Sequence, residues 1–191
     1  TFGIYKDILL KFWNNAEIEQ VECVRKKLTD TVALLEWHCR LQADADGEYN
    51  LSVTRFLPET AAAVVLAGTS EKVHLTKGMN DCILNSSVKN PHRWWCNGLG
   101  EPFIYPFEIK LLKDDEELDS RRLNIGLRTL ELVQEKDSTG KSFGFRLNGV
   151  PVFMKGANYI PPVNFLPRVT TADYNNIVDN AVDANMNMLR V

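Results

Sequence analysis

The chain has 191 residues, 45% of them hydrophobic and 25% charged, an ordinary globular composition long enough for one full domain and part of another. Its 22 basic and 25 acidic residues are scattered rather than blocked and sum to a formal net charge of −3, so the sequence carries no electrostatic footprint for nucleic acid or an anionic membrane. The longest apolar stretch, Ala61 to Ala67, is far shorter than the roughly 20 residues of a spanning helix. No initiator Met or signal-type leader stands at Thr1, and any such leader is expected upstream.

From Ile18 to about Glu131 the pattern is that of successive short strands, with period-two or apolar runs broken by Asp, Gly, Asn and Pro. Strands are expected at Ile18–Val24, Thr31–Leu41, Tyr49–Phe56, Ala62–Ala67, Val73–Thr76, Asp81–Val88, Phe103–Lys113 and Leu118–Arg128. About seven or eight strands in roughly 110 residues suit an immunoglobulin-like β-sandwich. After Lys136 a new unit begins: Phe143–Leu147, the tight-turn pair Asn148-Gly149, and the returning strand Val150–Met154. Thr170 with Asp173 three residues on is an N-cap signature, and Tyr174, Ile177, Val178, Ala181, Val182 and Ala184 recur at helical spacing. An amphipathic helix is expected over Asp173–Ala184, followed by Met186–Val191, an apolar run of buried-parallel-strand type. The C-terminal part therefore reads as one βαβ unit. Such a unit cannot bury its own sheet edges, so the sequence is expected to be truncated.

The chemistry-bearing residues are few. Cys23, Cys39, Cys82 and Cys96 make no CxxC pair and read as small buried hydrophobes, with disulfides as the alternative. His38, His74 and His92 stand in no triad or metal-ligand spacing, and no metal or cofactor is expected. Asp114-Asp-Glu-Glu117 reads as a solvated turn, and Trp94-Trp95 as a packing plug rather than a sugar-stacking platform. After residue 149 the acids are Asp173, Asp179 and Asp183, all assigned to the helix, with no glutamate. Two residues are candidates for a site. Arg190 ends the second strand of the βαβ unit, where a guanidinium could hold a catalytic carboxylate ionised, and Asn158, just after the first, could hydrogen-bond a substrate or brace a loop.

Three segments resemble glycoside hydrolase family 2, and its β-mannosidase branch best. Phe145 to Arg168, continuing through Tyr174 and Asp179 to Arg190, is similar to the opening of that family's catalytic (β/α)8 barrel. Asn90-Pro-His-Arg-Trp-Trp-Cys-Asn-Gly-Leu-Gly to Tyr105, with Ile125 to Leu130, resembles its immunoglobulin-like domain, and Gly3 to Ile8 the exit from its N-terminal sugar-binding-like sandwich. Cys96 and Val163 depart from the pattern, which usually has proline at the first position and an acidic or small polar residue at the second.

The resemblance implies a mainly β fragment: residues 1–16 ending an N-terminal sandwich and linker, 17–130 an immunoglobulin-like sandwich, and 131–191 the start of a truncated TIM barrel. It implies that the intact protein is a retaining exo-glycosidase acting on terminal, non-reducing β-D-mannose of oligosaccharides or glycans. The catalytic glutamates would lie downstream, leaving this piece inactive, with the Arg190 equivalent part of the active-site floor. A periplasmic, secreted or lysosomal compartment is implied in the same way. A β-galactosidase, β-glucuronidase or exo-glucosaminidase relative, or a non-catalytic carbohydrate-binding sandwich, are the alternatives.

Overall fold

The computed structural model describes residues 8–56, 65–161, 163 and 166–191. The Gly3–Asp7 part of the first resembling segment, the Ala62–Val64 start of one expected strand, and Pro162, Asn164 and Phe165 lie outside the described residues. Contacts divide the chain into two units. The larger comprises Phe12–Trp94 and Phe103–Leu127; the smaller takes in Trp95–Pro102, Arg128–Val191 and the described residues before Phe12.

Seven strands build the larger unit: β1 (Ala16–Leu28), β2 (Val32–Ala43), β3 (Gly47–Phe56), β4 (Val65–Leu75), β5 (Gly78–Lys89), β6 (Tyr105–Lys113) and β7 (Glu116–Ile125). They pair antiparallel as a three-stranded sheet, β1-β2-β5, and a four-stranded sheet, β4-β3-β6-β7. Period-two patterning makes the core. In β2 Ala33, Leu35, Trp37, Cys39, Leu41 and Ala43 are buried, in β3 Tyr49, Leu51 and Val53, and in β6 Tyr105, Phe107, Ile109 and Leu111. These inner faces join in one cluster, a β-sandwich. Trp37 is fully buried in it, its ring 4.7 Å from Phe107 of the other sheet and its Nε1 donating to Ser86 Oγ at 2.8 Å.

Where the sequence predicts two strands, at Ala62–Ala67 and Val73–Thr76, a single strand β4 runs from Val65 to Leu75. The polar run Thr69-Ser-Glu-Lys72 does not break it, because β4 is an edge strand whose exposed residues need only backbone pairing with β3. The acidic run is the expected turn only in its first half, Glu116 and Glu117 opening β7. Asp114 and Asp115, both at positive φ (50° and 65°), form the two-residue loop of the β6–β7 hairpin.

Polar ties also join the sheets. β1 is an edge strand with a register shift just after Ile18, and side chains of β7 pair the Ile18 backbone on its open side. Ile18 N donates to Asp119 Oδ2 at 2.9 Å, Arg121 Nη2 donates to Ile18 O at 2.7 Å, and Arg121 Nη1 reaches Asp119 Oδ1 at 2.6 Å. On the outer face of β6, Glu108 is only 6% exposed, covered by Arg122 (Nε to Oε1, 2.8 Å) and Lys110 (3.6 Å).

All four cysteines are free thiols. Cys39 and Cys82 stand opposite each other in the β2–β5 register, and Cys23 faces Trp37 across β1–β2. Burial pushes the Cys39 thiol up to about 12, with Cys82 adding to it, and Cys23 up to about 11.

The smaller unit begins with β8 (Leu130–Val133), β9 (Gly144–Leu147) and β10 (Val150–Val152), an antiparallel sheet in the order β10-β9-β8. Asn148 and Gly149 turn β9 into β10 at φ 53° and 82°, the conformation the Asn-Gly pair predicts. Asn148 also accepts from Thr129 N through Oδ1 at 3.0 Å and donates its own N–H to Thr129 O at 2.8 Å. Then come β11 (Gly156–Asn158), a turn of 3-10 helix at Leu166–Arg168, helix α1 (Thr171–Asp183) and β12 (Met188–Arg190), with β11 and β12 parallel. No closed barrel forms among the described residues. Nor is any described helix long and apolar enough to cross a membrane.

Two outcomes check this description. Trp37→Ala should lower the unfolding free energy in urea by about 3–5 kcal/mol, the range for removing a fully buried large aromatic, and a loss under about 1 kcal/mol would take Trp37 out of the core. The thiols give a pH signature. A raised folded-state pKa means that the unfolded chain releases its protons first, so the thiols' contribution to stability is constant below about pH 9 and is lost as pH climbs towards 11 and 12. The paired substitution Cys23→Ala with Cys39→Ala should flatten that alkaline fall, and an unchanged slope would contradict it.

Candidate functional site

The βαβ segment is set by local signals at each junction. Thr170 is extended (φ −92°, ψ 166°) and caps α1, its Oγ1 accepting from Asp173 N at 3.3 Å while Asp173 Oδ2 accepts from Thr170 N and Oγ1, both at 2.8 Å. The Thr170 backbone and hydroxyl hydrogen bonds hold the Asp173 carboxyl below its usual range. Asp173 is thereby committed to the cap. At the other end Asn185 takes positive φ (56°) and donates to Val182 O, and Met186 N donates to Ala181 O, a Schellman closure. The helix buries none of its residues: Tyr174, Val178 and Val182 are 46%, 54% and 47% exposed.

Asn187 then sets where β12 begins. Its backbone N donates to Lys155 O at 2.8 Å, its Nδ2 to Phe153 O at 3.1 Å, and its Oδ1 accepts from Lys155 N at 2.9 Å. The strand expected to run from Val150 to Met154 therefore stops at Val152, and the parallel partner of β12 is the separate three-residue β11. Phe153 and Lys155 spend their backbone groups on Asn187 rather than on a ladder. Gly156 allows the close approach that follows, since a Cβ there would fall on the Met188 carbonyl.

This register puts the two candidate residues side by side. Asn158 pairs with Arg190 across β11–β12, each the last residue of its strand, and Tyr159 N donates to Arg190 O at 2.8 Å. Residues opposite each other in a parallel ladder share a face, so amide and guanidinium project together at the strands' C-terminal ends, both exposed. Among the described residues neither side chain has a hydrogen-bond or ion-pair partner. Asp179 and Asp183 lie along α1 rather than at a strand end. A residue passed over in the sequence adjoins the pair: the Tyr159 hydroxyl is buried beside Tyr174, ring centroids 6.5 Å apart, and burial, with Tyr174 and Asp173, raises its pKa. Only its position next to Asn158 could have singled it out.

The tryptophan pair packs on glycine. A Cβ at Gly126 would meet Trp94 at 3.0 Å, and one at Gly100, itself at φ 155°, would meet Trp95 at 2.9 Å. Trp94 belongs to the larger unit and Trp95 to the smaller. His38 and His74 pair with Glu36 and Glu48 on strand surfaces, and no cluster of His, Cys, Asp or Glu that could hold a metal occurs among the described residues.

The described residues thus form a β-sandwich followed by a parallel βαβ segment with Asn158 and Arg190 at its strand ends. Residues 16–128 match Glycosyl hydrolases family 2, and the chain belongs to that family. Among curated relatives, beta-mannosidase B of Aspergillus flavus is 43% identical over 104 residues, covering 54% of this chain and 12% of that protein. Beta-mannosidase B of Emericella nidulans is 30% identical over 192 residues, 100% of this chain and 22% of its own length. The crystal structure of a β-D-mannosidase from Dictyoglomus thermophilum superposes with a TM-score of 0.86 at 29% identity, over 95% of this chain and 22% of that one. The chain thus spans about a fifth of the length of the relatives it matches end to end.

Removing the clamp that aligns the two candidates should be measurable. Asn187→Ala deletes two side-chain hydrogen bonds and should cost about 1–3 kcal/mol of local stability. Hydrogen exchange should accelerate at β11 and β12 amides while β2 and β5 stay protected; uniform protection would show that Asn187 does not set this register.

Proposed function

We propose that the parent protein is a retaining exo-β-mannosidase that removes terminal, non-reducing β-D-mannose from oligosaccharides or glycans. Residues 17–130 are its immunoglobulin-like domain and residues 131–191 the opening βαβ of its catalytic barrel, after residues 1–16 that end an N-terminal sandwich. The observation that carries the reading is the end-to-end likeness to a beta-mannosidase B at 30% identity, joined to a β-D-mannosidase structure at TM-score 0.86.

A retaining glycosidase needs two carboxyl groups about 5–5.5 Å apart, one as nucleophile and one as acid/base. Here the carboxylates after residue 149 all stand on α1, one of them committed to a cap, so the catalytic glutamates come from elsewhere in the parent chain. What these residues contribute is support. The Arg190 guanidinium, at the C-terminal end of a parallel strand, holds the nucleophilic carboxylate ionised, and Asn158 beside it hydrogen-bonds the sugar or braces its loop. The exposed apolar stripe of α1 supports the same reading, because further barrel elements would cover it.

The test is hydrolysis of an aryl β-D-mannoside by the full-length protein and by the 191-residue chain, with the anomer of the released sugar followed by NMR. Turnover with retention is expected from the first and none from the second. Hydrolysis by the 191-residue chain alone would overturn the assignment of the carboxylates. Preference for a β-galactoside, β-glucuronide or β-glucosaminide by the full-length enzyme would overturn the sugar.

A further inference from the structure

The segment Trp95–Pro102 lies in sequence between two sandwich strands, β5 and β6, yet it groups with the smaller unit. It is a loop with hydrogen bonds of its own. Trp95 N donates to Glu101 O at 3.0 Å and Leu99 N to Cys96 O at 3.1 Å; Cys96 is buried, and Gly98 and Gly100 hold positive φ, the latter beneath the Trp95 ring. From this frame Asn97 reaches 89 residues along the chain, its Nδ2 donating to Met186 O at 3.0 Å.

Met186 is a decisive place to hold. Its N–H is spent on Ala181 O in the helix closure, and the next residue, Asn187, is bonded to Phe153 and Lys155. With Asn97 on its carbonyl, the peptide between helix and strand is fixed from three sides. The strand β12 that begins two residues on, at Met188, is only three residues long and ends in Arg190. A displacement at Met186 acts only four residues, roughly 13 Å at about 3.3 Å per residue, before the Arg190 backbone that carries the guanidinium.

We infer that Asn97 is a positioning residue for Arg190: its amide fixes the start of β12 and so sets the distance from the guanidinium to the carboxylate it serves. This rests on the role of Arg190 proposed above. Asn97 itself need not touch substrate.

The experiment uses the full-length enzyme with Asn97→Ala, the near-isosteric Asn97→Leu, Arg190→Lys, and the double variant Asn97→Leu with Arg190→Lys. The readouts are kcat, KM, thermal midpoint and the pH profile of kcat/KM on an aryl β-D-mannoside. A displaced guanidinium stabilises the ionised nucleophile less, so the acid limb should move to higher pH by about half to one unit in both Asn97 variants. An ångström-scale misplacement should lower kcat about 10- to 100-fold with KM nearly unchanged. Arg190→Lys should shift the limb further in the same direction, and the double variant no further than Arg190→Lys alone. A loop serving only stability would lower the thermal midpoint and leave the acid limb where it is. That result beside a shifted limb in Arg190→Lys overturns the role of Asn97 and leaves that of Arg190 standing. An unmoved limb in Arg190→Lys overturns both.

Discussion

At several places where the backbone of this protein leaves regular pairing, a side chain takes over the peptide groups left behind, and the smaller unit in particular depends on that obligation. Asp119 and Arg121 serve Ile18 at the β1 irregularity, Asn148 serves Thr129, Thr170 and Asp173 serve each other at the head of α1, and Asn187 serves Phe153 and Lys155. A buried or half-buried peptide group without a partner costs about 1–3 kcal/mol, so these few residues matter more than their number suggests. In the sandwich they close two sheets on one core. In the smaller unit they place a three-residue strand that has little else to hold it.

The sandwich was legible because its signals are local and redundant. Alternation from Ala33 to Ala43 marks the inner face of β2, and Asp114-Asp115 and Asn148-Gly149 mark turns by their own conformational preferences. Thr170 and Asp173 announced the helix, which begins two residues earlier than its apolar spacing alone implies. The edge strand β4 was misread as two because a strand with one backbone partner and solvent on its faces needs no hydrophobic period. Strand β11 lies beyond the expected strand Val150–Met154 and was not anticipated, because three residues are too few to show a period at all.

The candidate site was legible as residue types and positions, not as an arrangement. Asn158 and Arg190 stood out at the ends of expected strands, but that they face each other depends on a register set by Gly156 and Asn187, neither of which carries an evident functional signal in sequence. Asn97 was legible only as part of a loop motif, because its partner lies 89 residues away. Membership of Glycosyl hydrolases family 2 rests on the sandwich, residues 16–128, whereas both candidate site residues lie outside that span.

The Asn97–Met186 bond also imposes an order in time. Local hairpins of the sandwich can form as soon as their strands exist, whereas the Trp95–Pro102 loop must wait for a partner made much later. During synthesis, at roughly 5–20 residues per second, that interval is several seconds in which the loop is built but its acceptor is not. A loop that carries its own internal hydrogen bonds and its own buried cysteine can keep its shape through such a delay, and the later strand then docks against a finished template.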